Sequence, residues 1–439
     1  MYSSTEGENP LRKNLSLLAI LVVSFVNGQT LPKLTLADAE ALAIKNHPQI
    51  LAAQHEVSFA NQQITEARSA YYPTLSADVT GSQANHDARL GAGYLNSSTL
   101  FDRFGQGVSM SQLITDLGRT KNLVASSRLQ AQATDQNLVA TKYDVLIAVN
   151  RAYFDVLHTQ AIVKVAEQTV AARQLLDDQV TELAKNQLKS QLDVSLADVT
   201  VSEAKLLLIN AQSAVQQAFA ELARAIGTDQ PINYQLVDEA MPATPPAKAD
   251  DLIAQALSNR PELASLRFSR DSAYRFAEAE KDLNRPTVSL VAVAGFLPYI
   301  NQIGSTPIAS EYEAAAVNVS IPLFNGHLFS ARREAARSRA MESDQRLRDQ
   351  QERVVRDVRV AWSGTMTAFQ RLDVTAQFVR QAALALNLAE GRYHLGLSSI
   401  IELTQSQLNL TQAEIENLSA KYDYQGQFAA LQYAIGALR

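Results

Sequence analysis

The stretch NHPQI at residues 46–50 returns as NRPEL at residues 259–263, and YYPTLS at residues 71–76 returns as NRPTVS at residues 284–289. Both pairs are 213 residues apart. Short stretches that recur in the same order at one fixed offset are typical of a duplicated structural unit. The duplication therefore decides the fold, because whatever elements one copy forms, the other should form in the same order.

The offset falls to 209 further along the chain. Ala152-Tyr153 corresponds there to Ala361-Trp362, and Ile226-Gly227 corresponds to Ile435-Gly436. A single change of four residues indicates one difference in insertion length between two otherwise parallel copies. We therefore predict a first structural repeat at residues 29–227, a proline-rich linker at 228–248 and a second repeat at 249–439.

Composition narrows the class of protein. Only 17 glycines and 13 prolines interrupt 439 residues, so most of the chain is predicted to be helical. A net charge of −6 offers no basic surface for nucleic acid, and the absence of cysteine excludes disulfides and thiolate metal sites. The six histidines are far apart, and no phosphate loop or nucleophile motif is present. We expect no cofactor, no metal and no enzymatic activity.

Residues 1–28 are predicted to be a secretory signal peptide. Arg12 and Lys13 precede an apolar segment at 15–26, and the small residues Val26 and Gly28 precede a plausible cleavage before Gln29. The apolar segment is short for a bilayer span, although an N-terminal anchor helix is the alternative. No later window reaches about 18 unbroken apolar residues, so a periplasmic or outer-membrane protein without membrane-spanning helices is predicted.

Each repeat contains a stretch of strand-like alternation followed by a very long helix. Hairpins of strands are predicted at 74–114 and 287–323, because apolar and polar residues alternate there. Helices are predicted from 117 to about 184 and from 328 to about 393, each on the order of 100 Å long at about 1.5 Å per residue. The return helices carry apolar residues seven apart in two adjacent stripes, which is typical of helices with neighbours on two sides. In the first repeat the stripes contain Leu192, Val199 and Leu206, and Val194, Val201, Leu208, Val215 and Leu222.

Four strands per chain cannot close a barrel, and lipid does not tolerate unpaired strand edges. Three chains would supply twelve strands, an even number that suits a closed barrel. The predicted fold class is therefore mainly α with β: a long coiled-coil-like helical barrel, plus four strands per chain that complete a trimeric 12-stranded transmembrane β-barrel. Aromatic residues near the strands, such as Tyr71, Tyr72 and Phe324, suit an interfacial girdle, and ordinary core packing is the alternative.

The turn sequence RYHLGLSSIIEL at residues 392–403 resembles the turn between the long and return helices of the TolC-like outer-membrane efflux channels. The strand-to-helix junctions SQLITD at 111–116 and SIPLFNG at 320–326 are also similar to that family, and the match covers nearly all of the mature chain. The resemblance implies a homotrimer in outer-membrane lipid, with a helical tunnel through the periplasm. It further implies docking to a periplasmic adaptor (membrane fusion) protein and an inner-membrane pump of RND or ABC type.

The same resemblance assigns roles at the turns. It implies a periplasmic constriction formed by Asp193, Glu402 and Gln405, of which Gln405 stands where some members have a second aspartate. It also implies a tip for adaptor docking, formed by Lys189, Ser190, Arg392, Tyr393, Gly396, Ser398 and Ser399. Ser398 replaces an arginine of some members, while Arg392 and Tyr393 offer cationic and hydroxyl partners. A purely structural interpretation is that Ser190 with Asp193, and Ser399 with Glu402, are helix caps.

Two functions follow. The preferred one is a passive outer-membrane exit duct for a tripartite efflux or secretion system. The alternative is a soluble periplasmic adaptor or scaffold built from helical hairpins, which explains the heptads but not two strand hairpins at matching positions.

Overall fold

A computed structural model describes residues 32–82, 103–231, 234–296 and 310–438. The predicted signal peptide at 1–28 lies outside the described residues, as do most of the segments between the paired strands. The first half contains β1 (Lys33–Leu34), α1 (Leu36–Asn46), α2 (Pro48–Ser69), β2 (Thr74–Ser82), β3 (Arg103–Thr115), α3 (Arg119–Lys185) and α4 (Gln191–Ile226). The second half contains β4 (Gln235–Leu236), α5 (Asp250–Asn259), α6 (Pro261–Lys281), β5 (Thr287–Phe296), β6 (Glu311–Ser320), α7 (Leu328–His394) and α8 (Ile400–Ala434).

Both halves run through two helices, two strands, a very long helix and a return helix. The long helices α3 and α7 have 67 residues each, which corresponds to about 100 Å. α2 and α6 begin at Pro48 and Pro261, where a proline without an N–H fits the first helical position. The prediction of a mainly helical chain with a few strands is therefore confirmed.

The four long strands form one antiparallel sheet in the order β2-β3-β5-β6. The second hairpin thus pairs with the first, through β3 and β5. The register places apolar residues on one face, which include Leu75, Val79, Val108, Met110, Leu290, Val317 and Val319. The opposite face is largely polar and includes Ser76, Asp78, Thr80, Ser109, Ser111, Ser289 and Asn318. In the single chain the apolar face is uncovered, since Leu75 and Val79 are 68% and 69% exposed.

The helices pack around the two long helices α3 and α7. α3 packs against α2, α4, α6 and α8, and α7 packs against α6 and α8. One core joins α1 and α2 to α3 and α4 around Tyr153, Ile50 and Leu222, and a second joins α5 to α8 around Leu263 and Val354. Among the described helices, none combines the length and the apolar character needed to cross a membrane.

The segment between the halves is held by equivalent aromatic residues of α3 and α7. The Tyr153 hydroxyl donates to the carbonyl oxygen of Val237 at 2.6 Å, and the carbonyl oxygen of Leu34 lies 2.9 Å from the same hydroxyl. At the corresponding position of the second half, the Trp362 indole N–H donates to the carbonyl oxygen of Pro246 at 2.8 Å. Two equivalent side chains thus bind one connecting segment at two different points, Val237 and Pro246.

The two predicted apolar stripes on each return helix differ in burial in the single chain. On α4, Val201 and Leu222 of one stripe are buried, while Leu192, Val199 and Leu206 of the other are more than half exposed. On α8, Leu403 is buried and Ile401 is 63% exposed. One chain therefore covers one stripe of each return helix and leaves the other open.

Candidate functional site at the helical turns

The two helical turns lie at the same end of the molecule and share a small apolar core. This core contains Leu176 and Val180 of α3, Ala197 of α4, Ala389 and Tyr393 of α7, and Ile400 and Leu403 of α8. All ten residues assigned to the constriction and the tip from the sequence lie in or next to these turns. The structure thus brings the residues of the first turn next to those of the second, although the two turns are about 200 residues apart in the chain.

Both turns close the long helices with the same hydrogen bonds. The Gln187 N–H donates to Ala184 O and the Leu188 N–H to Leu183 O, both at 2.9 Å. Gly396 and Leu397 repeat the pattern onto Tyr393 and Arg392, at 3.0 and 2.8 Å. This pair of hydrogen bonds is the Schellman motif, in which the residue just past the helix end has a left-handed backbone conformation. Gly396, with a φ of 73°, occupies that position in the second turn.

Asp193 belongs to a complete capping box. The Ser190 hydroxyl oxygen accepts from the Asp193 N–H at 3.2 Å, and Asp193 Oδ2 accepts from the Ser190 N–H at 2.9 Å and the Ser190 hydroxyl at 2.8 Å. These hydrogen bonds, first the backbone one, hold the pKa of Asp193 below its usual value. The first-turn position also suits a negative charge near the helix N-terminus.

Glu402 has a different partner, although it occupies the equivalent position. Ser399 still caps α8, because its hydroxyl accepts from the Glu402 N–H at 3.4 Å. The Glu402 carboxylate instead lies 3.3 Å from Arg392 Nε, and Arg392 Nη2 donates to the carbonyl oxygen of Leu397 at 3.4 Å. Arg392 and Glu402 are 57% and 44% exposed, so the pair contributes no more than about 1 kcal/mol.

A cation–π contact joins the two turns. Lys189 Nζ, from the first turn, lies 4.1 Å from the centre of the Tyr393 ring. Such a contact at a partly exposed site contributes about 0.5–1 kcal/mol. The Tyr393 hydroxyl and the Ser398 hydroxyl are buried without a hydrogen-bond partner among the described residues. Of the two partners expected from the sequence, Arg392 therefore binds a carboxylate, while Tyr393 contributes its ring.

The remaining assigned residue, Gln405, bonds along its own helix. Its side-chain amide donates to Asn409 Oδ1 at 3.0 Å. No hydrogen bond or ion pair in the described part of the chain connects Asp193 to Glu402. The acidic residues thus stand on neighbouring helix starts, each with a partner inside its own repeat.

Sequence reasoning missed one residue here. Gln187 has a φ of 61°, which a residue with a Cβ rarely adopts. The signal was available, because Gln187 lies 209 residues before Gly396 and so aligns with it. Exposed leucines also surround the tip: Leu188, Leu395 and Leu397.

Comparison with known proteins gives a consistent result. A family model described as outer membrane efflux protein matches residues 41–228 and 252–437. The chain is 24% identical over 433 residues to the outer membrane efflux protein BepC of Brucella suis biovar 1, covering 97% of this chain and 91% of that protein. It is 23% identical to the outer membrane protein TolC of Salmonella enteritidis, with 96% and 86% covered.

Solved structures share the fold. A crystal structure of CusC superposes with a TM-score of 0.79 at 19% identity, covering 91% of this chain and 92% of that chain. VceC from Vibrio cholerae superposes with a TM-score of 0.75 at 17% identity, covering 91% and 96%.

Proposed function

This chain belongs to the outer membrane efflux protein family, and on that premise we propose that it forms a passive exit duct for a tripartite efflux or secretion system. Family membership makes it an outer-membrane channel with a tunnel that extends into the periplasm. We further propose how copies of the chain assemble, which residues narrow the tunnel and which proteins the channel binds.

The sheet is the observation that carries the proposal. Among the described residues, its edge strands β2 and β6 each have a neighbour on one side only, and one face is largely apolar, with Leu75, Val79 and Val317 exposed. Strand edges cannot stay unpaired in lipid, so pairing of β6 with β2 of a second copy is the simplest solution. Three copies, with four strands each, would close a 12-stranded barrel with the apolar face outward and the polar face inward.

The helical layer supports the same assembly. The uncovered stripe on α4 and α8 is of the kind that packs against a neighbouring helix. A homotrimer would cover it and extend the barrel as a tunnel. We retain the repeats at 29–227 and 249–439, with the linker at 228–248, as the units of this arrangement.

At the periplasmic end of the tunnel, we propose that Asp193, Glu402 and Gln405 line a constriction. Carboxylates from three chains around a narrow pore favour cations and repel one another unless paired. Arg392 already offsets part of the Glu402 charge, whereas the Ser190 hydrogen bonds stabilise the ionised form of Asp193. The two carboxylates would therefore contribute unequally.

The tip is the proposed docking surface for a periplasmic adaptor, itself bound to an inner-membrane pump of RND or ABC type. Leu188, Leu395 and Leu397 are all more than 60% exposed there. Exposed apolar residues beside polar ones are typical of protein interfaces. Lys189, Ser190, Arg392, Tyr393, Gly396, Ser398 and Ser399 form or support this surface.

The alternative, a soluble periplasmic scaffold, is disfavoured by the exposed apolar face of the sheet. Membrane fractionation followed by gel electrophoresis with and without heating separates the two functions. The duct requires a protein in the outer membrane that migrates as a trimer until heated. A monomer in the soluble periplasmic fraction would contradict the duct and support the scaffold.

A further inference from the structure

One row of paired residues crosses all four strands on the polar face of the sheet. Asp78 of β2 pairs with Gly107 of β3, Gly107 with Gly295 of β5, and Gly295 with Tyr312 of β6. A carboxylate and an aromatic ring thus stand at the two ends of a row whose middle positions have no side chain. Neighbouring rows carry side chains on this face, such as Ser109 and Val293.

The tyrosine occupies the space above the glycines. A Cβ added to Gly295 would lie 2.5 Å from Tyr312 Cζ and would also collide with its hydroxyl oxygen. A Cβ on Gly107 would also collide with that hydroxyl oxygen and would lie 3.2 Å from the carbonyl oxygen of Ala294. The Tyr312 side chain therefore lies flat across β5 and reaches β3. β3 is the strand that pairs with β2, which carries Asp78. Its other ring face is open, because Tyr312 is 46% exposed.

This row forms one side of a cavity of about 440 Å³ lined by Asp78, Thr80, Gly107, Ser109, Val293 and Tyr312, among others. Among the residues whose side chains the structure describes, Asp78 is the only charged one on the polar face of the sheet. The cavity therefore combines a negative charge, hydroxyl groups and an aromatic face. That combination suits a cation that can donate hydrogen bonds and lie against a ring.

We propose that Asp78 and Tyr312 form a binding site for organic amine cations on the inner wall of the barrel. The site rests on the proposed function, because the polar face becomes an inner wall only when copies of the chain close the sheet. Three copies would present three such sites at one level. At about 0.1 M salt a carboxylate acts over about 10 Å, so each site would act on a cation that passes near the wall.

The test uses the purified full-length protein in planar bilayers at about 0.1 M salt, with spermidine added on the barrel side. We expect spermidine to reduce the single-channel current, and Asp78→Asn to raise the half-blocking concentration about tenfold or more. Tyr312→Leu, which removes the ring, should raise it about threefold. The matched control is Glu313→Gln on β6, because Glu313 pairs with Ala294 and lies on the opposite, apolar face.

The outcomes separate the site from the function on which it rests. Each variant is first checked for the heat-sensitive trimer, so that a folding defect is not read as lost binding. A wild-type pore whose block by spermidine is unchanged in Asp78→Asn would overturn the site alone. Block that is lost in Glu313→Gln instead would show that the apolar face lines the pore, and would also overturn it. A wild-type protein that forms no pore would overturn the proposed function and the site together.

Discussion

Gln187 and Gly396 occupy the same position in the two helical turns, and both have a positive φ, 61° and 73°. A left-handed conformation costs a residue with a Cβ about 1–2 kcal/mol, whereas glycine adopts it readily. The first turn therefore holds backbone strain that the second turn avoids. The two turns have the same hydrogen bonds, but we expect the first turn to be less stable than the second because of this strain.

Replacing Gln187 by glycine should stabilise the first turn. The relief of strain is partly offset by the greater freedom of glycine in the unfolded chain, which leaves a net gain of about 0.5–1 kcal/mol. We expect amide hydrogen exchange at the end of α3 to slow about two- to fivefold. Gly396→Ala is the matched control, because nothing lies within 4 Å of the added Cβ and only the positive φ is strained. It should speed exchange in the second turn. No change in either variant would show that the turns open by another route.

If Glu402 lines the pore as proposed, removing its partner should increase the preference of the channel for cations. In Arg392→Gln the carboxylate loses the guanidinium 3.3 Å away, and its charge is felt more strongly in the pore. Because the pair is exposed, we expect at most about a fivefold change in the cation-to-anion permeability ratio in planar bilayers. Arg392→Lys, which keeps the charge, should stay near wild type. Asp193→Asn combined with Glu402→Gln should abolish the preference at the tip. If it does not, these residues only cap their helices.

The cap of α4 should weaken in acid. The pKa of Asp193 is lowered from 3.8 by hydrogen bonds from Ser190, so its contribution to stability is present above pH 3.8 and is lost as pH falls through the lowered pKa. Carbon-13 labelling of aspartate, with Asp193→Asn to assign the signal, measures this pKa directly by NMR. We expect Ser190→Ala to raise the pKa of Asp193, because a donor to the carboxylate is removed. An unchanged pKa in that variant would contradict the capping geometry.

Tyr153→Phe should destabilise the joint between the two halves. The variant leaves the carbonyl oxygen of Val237 without the hydroxyl that donates to it at 2.6 Å, at a cost of about 1–3 kcal/mol. Thermal unfolding followed by circular dichroism measures the loss. Tyr71→Phe is the control, since Tyr71 is about half exposed, and it should change stability by less than about 0.5 kcal/mol. Equal losses of stability in both variants would contradict a specific contribution from the hydrogen bonds of the Tyr153 hydroxyl.

The polar face of the sheet offers a stability test of the tyrosine packing. Gly295→Ala places a Cβ 2.5 Å from Tyr312 Cζ and 2.6 Å from the carbonyl oxygen of Gln106, so β3 and the tyrosine must both shift. We expect a loss of about 1–3 kcal/mol, seen as a trimer that separates at lower temperature on gels. Gly81→Ala meets nothing within 4 Å and should be nearly neutral. A trimer of Gly295→Ala as stable as wild type would contradict the packing.

Much of the fold followed from periodicity. The alternation around Leu75 and Val317 predicted strands, and the proline-free stretches predicted the long helices, because both signals are local in the sequence. The pairing of β3 with β5 was not predictable, since it joins residues about 180 apart and leaves no local signal. The position of Tyr312 over Gly107 depends on that register and was therefore missed.

The turns show the same division. The caps at Ser190 and Ser399 were predicted from spacing alone. The sequence does not reveal that the capping box is completed by Asp193 but not by Glu402. The Glu402 carboxylate instead pairs with Arg392 across the turn, from α8 to α7, and the helix-cap spacing carries no signal for that contact.

The uncovered stripe of Leu192, Val199 and Leu206 has a consequence for biogenesis. A newly exported polypeptide would expose this apolar stripe in the periplasm until it binds other subunits. We expect such a chain to depend on periplasmic chaperones, and to be degraded when partners are scarce. Subunit supply, rather than the folding of any one chain, would then limit how many ducts a cell can build.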